Sequence, residues 1–131
     1  MVRDFSGPDQ PPEIRESFRF LGRKYGYGDA AAAAAPARCA EVMGLLADRL
    51  RSQRERGSRY CVGPSLTALD LYAACAYALV SPLPQDLCAM TPLFRAVYTT
   101  GDPVVRAAAV PILGEHRDFI YRKHLELPVD L

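Results

Sequence analysis

The side chains best suited to nucleophilic or metal chemistry in this 131-residue sequence are four cysteines and two histidines. Cys39, Cys61, Cys75 and Cys88 stand 22, 14 and 13 residues apart. No Cys-x-x-Cys pair occurs and only two histidines are available, so the spacing predicts no metal site. His116 and His124 lie eight residues apart, about 80° around a helix, and do not converge on one ion. They read as solvent-facing or hydrogen-bonded side chains. A nucleophilic cysteine needs a base or a helix N-terminus to lower its pKa. Cys75 falls in the middle of an uncharged run, where burial raises the pKa instead. Cys88 follows Pro84 in a loop and is expected to be the more exposed thiol. These patterns assign no catalytic residue, and the thiols read as small apolar packing groups.

Three other groups invite a chemical reading. His116-Arg117-Asp118 matches the kinase catalytic-loop triplet, but the Asn required five residues after the Asp is Lys123 here, so the match is read as chance. Arg49, Arg51, Arg54, Arg56 and Arg59 form a basic cluster at the end of an expected helix. Cations there complement the helix dipole, and a solvated helix end is favoured over a phosphate site. Thr67-Ala68-Leu69-Asp70 fits a capping box. The Thr67 hydroxyl would accept the Asp70 N–H, and the Asp70 carboxylate would reach back to the Thr67 N–H. Leu66 and Leu71 stand at the two positions of a hydrophobic staple.

The elements that would position these groups are helical. Residues 1–11 read as a loose tail. From Pro12, Ile14, Phe18 and Leu21 recur at helical spacing until Gly26 and Gly28 stop the helix near Tyr25. Six alanines precede Pro36, which is expected to start a second helix running to about Arg56 with Cys39, Val42, Met43, Leu46 and Leu50 on its apolar stripe. After the Thr67 cap, LYAACAYALV carries no charge, so it is expected to be a central helix surrounded by protein. Pro82 and Pro84 end it. A short helix over about 93–99, another opened by Asp102-Pro103, and a last one from Pro111 to about Glu126 complete the chain. Only Tyr60-Cys61-Val62 hints at a strand. The fold class is all-α.

The segment GPSLTALDLYAA resembles the start of the core helix in the C-terminal helical domain of glutathione S-transferases. There a Gly-x-x-x-(Ser/Thr)-x-x-Asp element opens the helix, and Gly63, Thr67 and Asp70 occupy its positions as structural cap residues. The residue before the Asp is often Ala in that family and is Leu69 here. LVSPLPQDLCAM and HRDFIYRKHLELP extend the similarity more loosely, so that it covers residues 25–131. The resemblance implies a helical bundle around a central buried helix, spanning residues 12–131. It also implies that Tyr72 and Tyr121 border the pocket for an apolar or electrophilic substrate.

The same resemblance sets limits. Family members activate glutathione with a thioredoxin-like domain ahead of these helices, and no βαβ pattern precedes Pro12. The chain is therefore expected to bind neither glutathione nor any other cofactor alone. Glutathione would enter only with a thioredoxin-like partner, and a homodimer is the other expected assembly. A non-catalytic interaction or hydrophobic-ligand module is the alternative.

Composition is consistent with that reading. Sixteen basic residues balance fifteen acidic ones, for a formal charge of +1. The balance gives no electrostatic case for nucleic acid or an anionic membrane. Leu71 to Val80 is the longest uncharged apolar run and falls well short of the about 20 residues that span a bilayer. With no secretion signal among the first residues, a cytoplasmic location is expected.

Overall fold

The computed structural model describes residues 8–9 and 11–129. Six helices occur among them: α1 (Pro12–Lys24), α2 (Asp29–Glu55), α3 (Ala68–Ala78), α4 (Pro92–Tyr98), α5 (Pro103–Ala108) and α6 (Pro111–His124). No strand accompanies them, and the class is all-α. The expected N-terminal tail lies outside the described residues, apart from Pro8, Asp9 and Pro11, which are exposed. The chain divides into two compact units, residues 1–36 and 37–131.

In the first unit, α1 starts with Pro12 in its first turn and ends with Tyr27 N–H on the Gly22 carbonyl at 2.7 Å. Gly26, at φ 69°, makes the left-handed turn that a side chain would resist. Ile14 and Phe18 are half-buried, while Leu21 is exposed. Helix α2 begins at Asp29 rather than at Pro36, which sits inside it. Alanine is the strongest helix former, and the six-residue run carries helical geometry up to the proline despite the lost backbone bond.

The second unit is built on the remainder of α2. By length and a mean hydropathy of 1.2 in its most apolar window, α2 could cross a membrane. Only 11% of that window is buried; Met43, Ala47 and Leu50 of α2 join Cys61, Val105, Ile112 and Leu113 in one core cluster. A second cluster joins Tyr60, Ala74 and Ile120, flanked by Leu71, Phe119 and Tyr121, where α3 packs on α6.

Helix α2 ends in a Schellman motif. Ser58 N–H reaches the Gln53 carbonyl at 2.9 Å, and Gly57 N–H reaches that of Arg54 at 2.9 Å. Gly57 takes the left-handed position at φ 79°. Gln53, itself buried, then donates to the carbonyls of Tyr60 (3.2 Å) and Gly63 (3.0 Å) and shapes the loop leading to α3.

One expectation is corrected here. Helix α3 is not surrounded by protein: Asp70 and Ala74 are buried, but Leu69, Tyr72, Cys75, Ala76 and Leu79 form an exposed apolar stripe. Uncharged sequence predicts burial on all sides only when enough protein is present to cover every face. The described part of this chain covers one.

Two thiols also exchange places relative to expectation. Cys75 is exposed and Cys88 is buried. The last described residue explains Cys88, because Val129 N–H bonds the Leu87 carbonyl at 2.8 Å and brings the chain before it over this loop. Arg95 clamps the loop from the other side, donating to the carbonyls of Leu83 (3.1 Å) and Cys88 (3.0 Å).

Candidate functional site

The exposed stripe of α3 floors an apolar cavity. Tyr72, Cys75, Ala76 and Leu79 face Tyr98, Tyr121 and Met90 across a volume of about 530 Å³. Tyr72 and Tyr121, far apart in sequence, thus line the same space. Tyr72 is 74% exposed and stands at the rim. Tyr121 is held more firmly, with its hydroxyl 3.8 Å from Cys75 Sγ. Burial, reinforced by Cys75, pushes the Tyr121 phenol up to about 12. Its hydroxyl therefore stays protonated as a hydrogen-bond donor at neutral pH. The volume suits a small organic molecule, with apolar walls and a few polar groups to orient it.

Thr67 and Asp70 lie at the entrance to α3, and Gly63 lies in the loop that leads to it. Gly63 adopts φ 63°, and its carbonyl accepts from Ser58 Oγ at 2.6 Å as well as from Gln53. Thr67 is the N-cap, and Asp70 bonds it twice through Oδ2: from the Thr67 N–H at 2.8 Å and from the Thr67 hydroxyl at 2.7 Å. The hydroxyl thus donates to the carboxylate, while the Asp70 N–H meets the Thr67 carbonyl at 3.1 Å. The carboxylate is the hub of the box.

Asp70 has a second partner set that its spacing does not announce. Its Oδ1 accepts the Cys61 N–H at 2.6 Å and lies 3.4 Å from His116 Nε2. Cys61 Sγ stands 3.6 Å from the same nitrogen. His116 Nδ1 faces the Arg59 carbonyl at 3.3 Å. Cys61 and Asp70 are 0% exposed and His116 is 3% exposed.

Burial opposes ionisation of Asp70, yet the hydrogen bonds from Cys61 and Thr67 outweigh it and hold the carboxyl below its ordinary value. Burial pushes the Cys61 thiol up to about 12, with the neighbouring carboxylate adding to the effect. Burial likewise lowers the His116 imidazole, against the pull of Asp70 and the Arg59 carbonyl.

The arrangement is not a nucleophile relay. Thiol and carboxylate both face Nε2, whereas a relay places the acid on the opposite ring nitrogen from the nucleophile. A thiol held at about 12 is also no nucleophile at neutral pH.

Sequence reasoning missed this cluster. Cys61 was not distinguished from the other thiols, and His116 was read only as exposed or hydrogen-bonded. Separations of nine and forty-six residues match no ligand motif, so no local signal existed.

The remaining candidates resolve into structural contacts. Arg117 is buried and donates to the carbonyls of Ser81 and Pro82 just beyond α3, while pairing with Asp118 at 2.7 Å. The His-Arg-Asp triplet is therefore divided between the buried cluster and a helix-end clamp. His124 turns away to the Tyr60 hydroxyl at 3.1 Å.

In the basic cluster, Arg49 holds the Cys61 carbonyl at 2.8 Å, and Arg51 pairs with Asp48. Arg54 pairs with Glu115, and Arg59 lies 3.9 Å over the Phe119 ring. Arg56 extends into an open groove beside Tyr60, Phe119 and Lys123. No protein family, curated protein or solved structure matches this chain.

Proposed function

We propose that this chain acts as a glutathione S-transferase-like helical module that takes a hydrophobic small molecule and does not bind or activate glutathione alone. The observation that supports the reading most directly is the convergence of Tyr72 and Tyr121 on one apolar cavity. The pairing of Thr67 with Asp70 at the head of α3 is consistent with it. On this reading the cavity desolvates an apolar ligand and the Tyr121 hydroxyl orients it. Glutathione chemistry would require a thioredoxin-like partner.

Titration with an uncharged apolar dye, Nile red, followed by fluorescence, tests the ligand site. Saturable binding near one per chain is expected. Leu79 is 59% exposed in the free chain, so covering it with ligand contributes about 1–2 kcal/mol and Leu79→Arg should weaken binding about tenfold. Calorimetry with glutathione should show no heat of binding. Unsaturable dye binding unaffected by Leu79→Arg would remove the cavity reading, and measurable glutathione affinity would remove the division of labour.

A second reading, a protein-interaction module or homodimer, draws on the exposed apolar stripe of α3. Sedimentation velocity at rising concentration separates the two. Self-association that Leu69→Glu abolishes supports the interface, and a strict monomer that still binds dye supports the ligand site.

A further inference from the structure

The geometry points to a buried site for a zinc-class divalent ion formed by Cys61 Sγ, Asp70 Oδ1 and His116 Nε2. Their ligand atoms all lie within 4.8 Å of one another, with separations of 3.6 Å from sulfur to nitrogen and 3.4 Å from nitrogen to oxygen. A tetrahedral ion with about 2.3 Å to sulfur and about 2.0–2.2 Å to nitrogen and oxygen sets neighbouring ligands about 3.3–3.6 Å apart. The sulfur–nitrogen and nitrogen–oxygen spacings match those edges.

Hydrogen bonding aims each ligand inward. The Arg59 carbonyl lies 3.3 Å from His116 Nδ1; a carbonyl can only accept, which favours the proton on Nδ1 and turns the Nε2 lone pair to the sulfur and the carboxylate. Metal-bound histidines are typically oriented in this way by a carbonyl on the far nitrogen. Thr67 occupies Asp70 Oδ2 with two bonds and so directs Oδ1 toward the cluster. Arg49 pins the Cys61 backbone through its carbonyl.

Charge favours a dication. Without one, Nε2 has only the weak thiol donor of Cys61 at 3.6 Å, beside a carboxylate oxygen at 3.4 Å in a buried setting. Binding exchanges the Cys61 thiol proton for the ion, and that proton passes to the buffer. Thiolate and carboxylate then balance the two positive charges, and no net charge is buried. Sulfur, imidazole and carboxylate together suit zinc or cobalt better than magnesium or calcium, which prefer all-oxygen sets. His116 also lines an apolar cavity of about 250 Å³ between α2, α3 and α6, and a water would supply the fourth ligand that a tetrahedral ion needs.

The test uses the full chain, stripped of metal by a chelator under reducing conditions and titrated with cobalt(II). One equivalent should bind and release one proton. It should give the strong visible bands of a tetrahedral ion and a thiolate-to-cobalt charge-transfer band in the near ultraviolet. Cys61→Ala should abolish the charge-transfer band and weaken affinity at least tenfold. If that variant fails to fold, Cys39→Ser/Cys75→Ser/Cys88→Ala leaves Cys61 as the sole thiol and should keep the full spectrum. A wild-type chain without the charge-transfer band overturns the site and leaves an internal thiol–imidazole hydrogen bond in its place. A band that survives Cys61→Ala, or vanishes in the triple variant, assigns the metal to other thiols and overturns it equally.

Discussion

Asp70 ties the start of α3 to the loop before it, because one carboxylate serves both the Thr67 cap and the Cys61 N–H. Asp70→Ala removes the cap and leaves a buried N–H without its acceptor. The combined cost is expected to be about 2–4 kcal/mol, read as a lower denaturation midpoint in urea. A midpoint equal to that of the parent would show that neither bond contributes. Tyr121 allows a prediction in pH. Its phenol sits at about 12 in the fold against an ordinary 10.0. The fold therefore favours the neutral form. The stability this confers is complete below pH 10 and is lost as the pH rises toward 12, because the unfolded chain ionises first. Ultraviolet difference titration against Tyr121→Phe should show one phenolate appearing about two pH units late. Saturating the cavity with an apolar ligand should delay it further.

Among the elements, the turn at Gly63 and the proline within α2 carry separable expectations. A Cβ at Gly63 would meet open space, so the cost of Gly63→Ala is purely that of φ 63° for a side-chain residue. About 1–2 kcal/mol of lost stability follows, measurable by thermal or chemical denaturation. Pro36→Ala restores the missing backbone donor inside α2. Far-ultraviolet circular dichroism should show more helix and a higher melting temperature, because proline in a helix interior costs about 3 kcal/mol relative to alanine. An unchanged spectrum would mean that the alanine run already gains nothing further from continuity. Most of these elements were legible beforehand, since proline and glycine punctuate the chain. The start of α2 was not, because a strong helix former and a helix breaker adjoin and only their summed free energies decide.

At the scale of the molecule, α3 is half covered. Its exposed stripe adds to the apolar surface of the unit over residues 37–131, and such surface favours association. Leu79→Arg should therefore raise solubility while weakening dye binding, and a precipitation curve in ammonium sulfate tests the first of these. The same organisation explains how one helix, uncharged beyond Asp70, meets two different surroundings. Its buried edge carries Asp70 to the Cys61–His116 cluster, and its open edge carries Tyr72 to the cavity.

Helical class and the pairing of Thr67 with Asp70 follow from residue periodicity and nearest-neighbour spacing, which act within a few turns of chain; that the Thr67 hydroxyl donates to the carboxylate rather than accepting the Asp70 N–H does not. Tyr72 and Tyr121 share a cavity, Cys88 rather than Cys75 is enclosed, and Cys61, Asp70 and His116 meet. Each of these outcomes depends on which helix faces pack and where the C-terminal segment folds back. Long-range packing brings together residues that no spacing rule connects, so those facts belong to the tertiary structure.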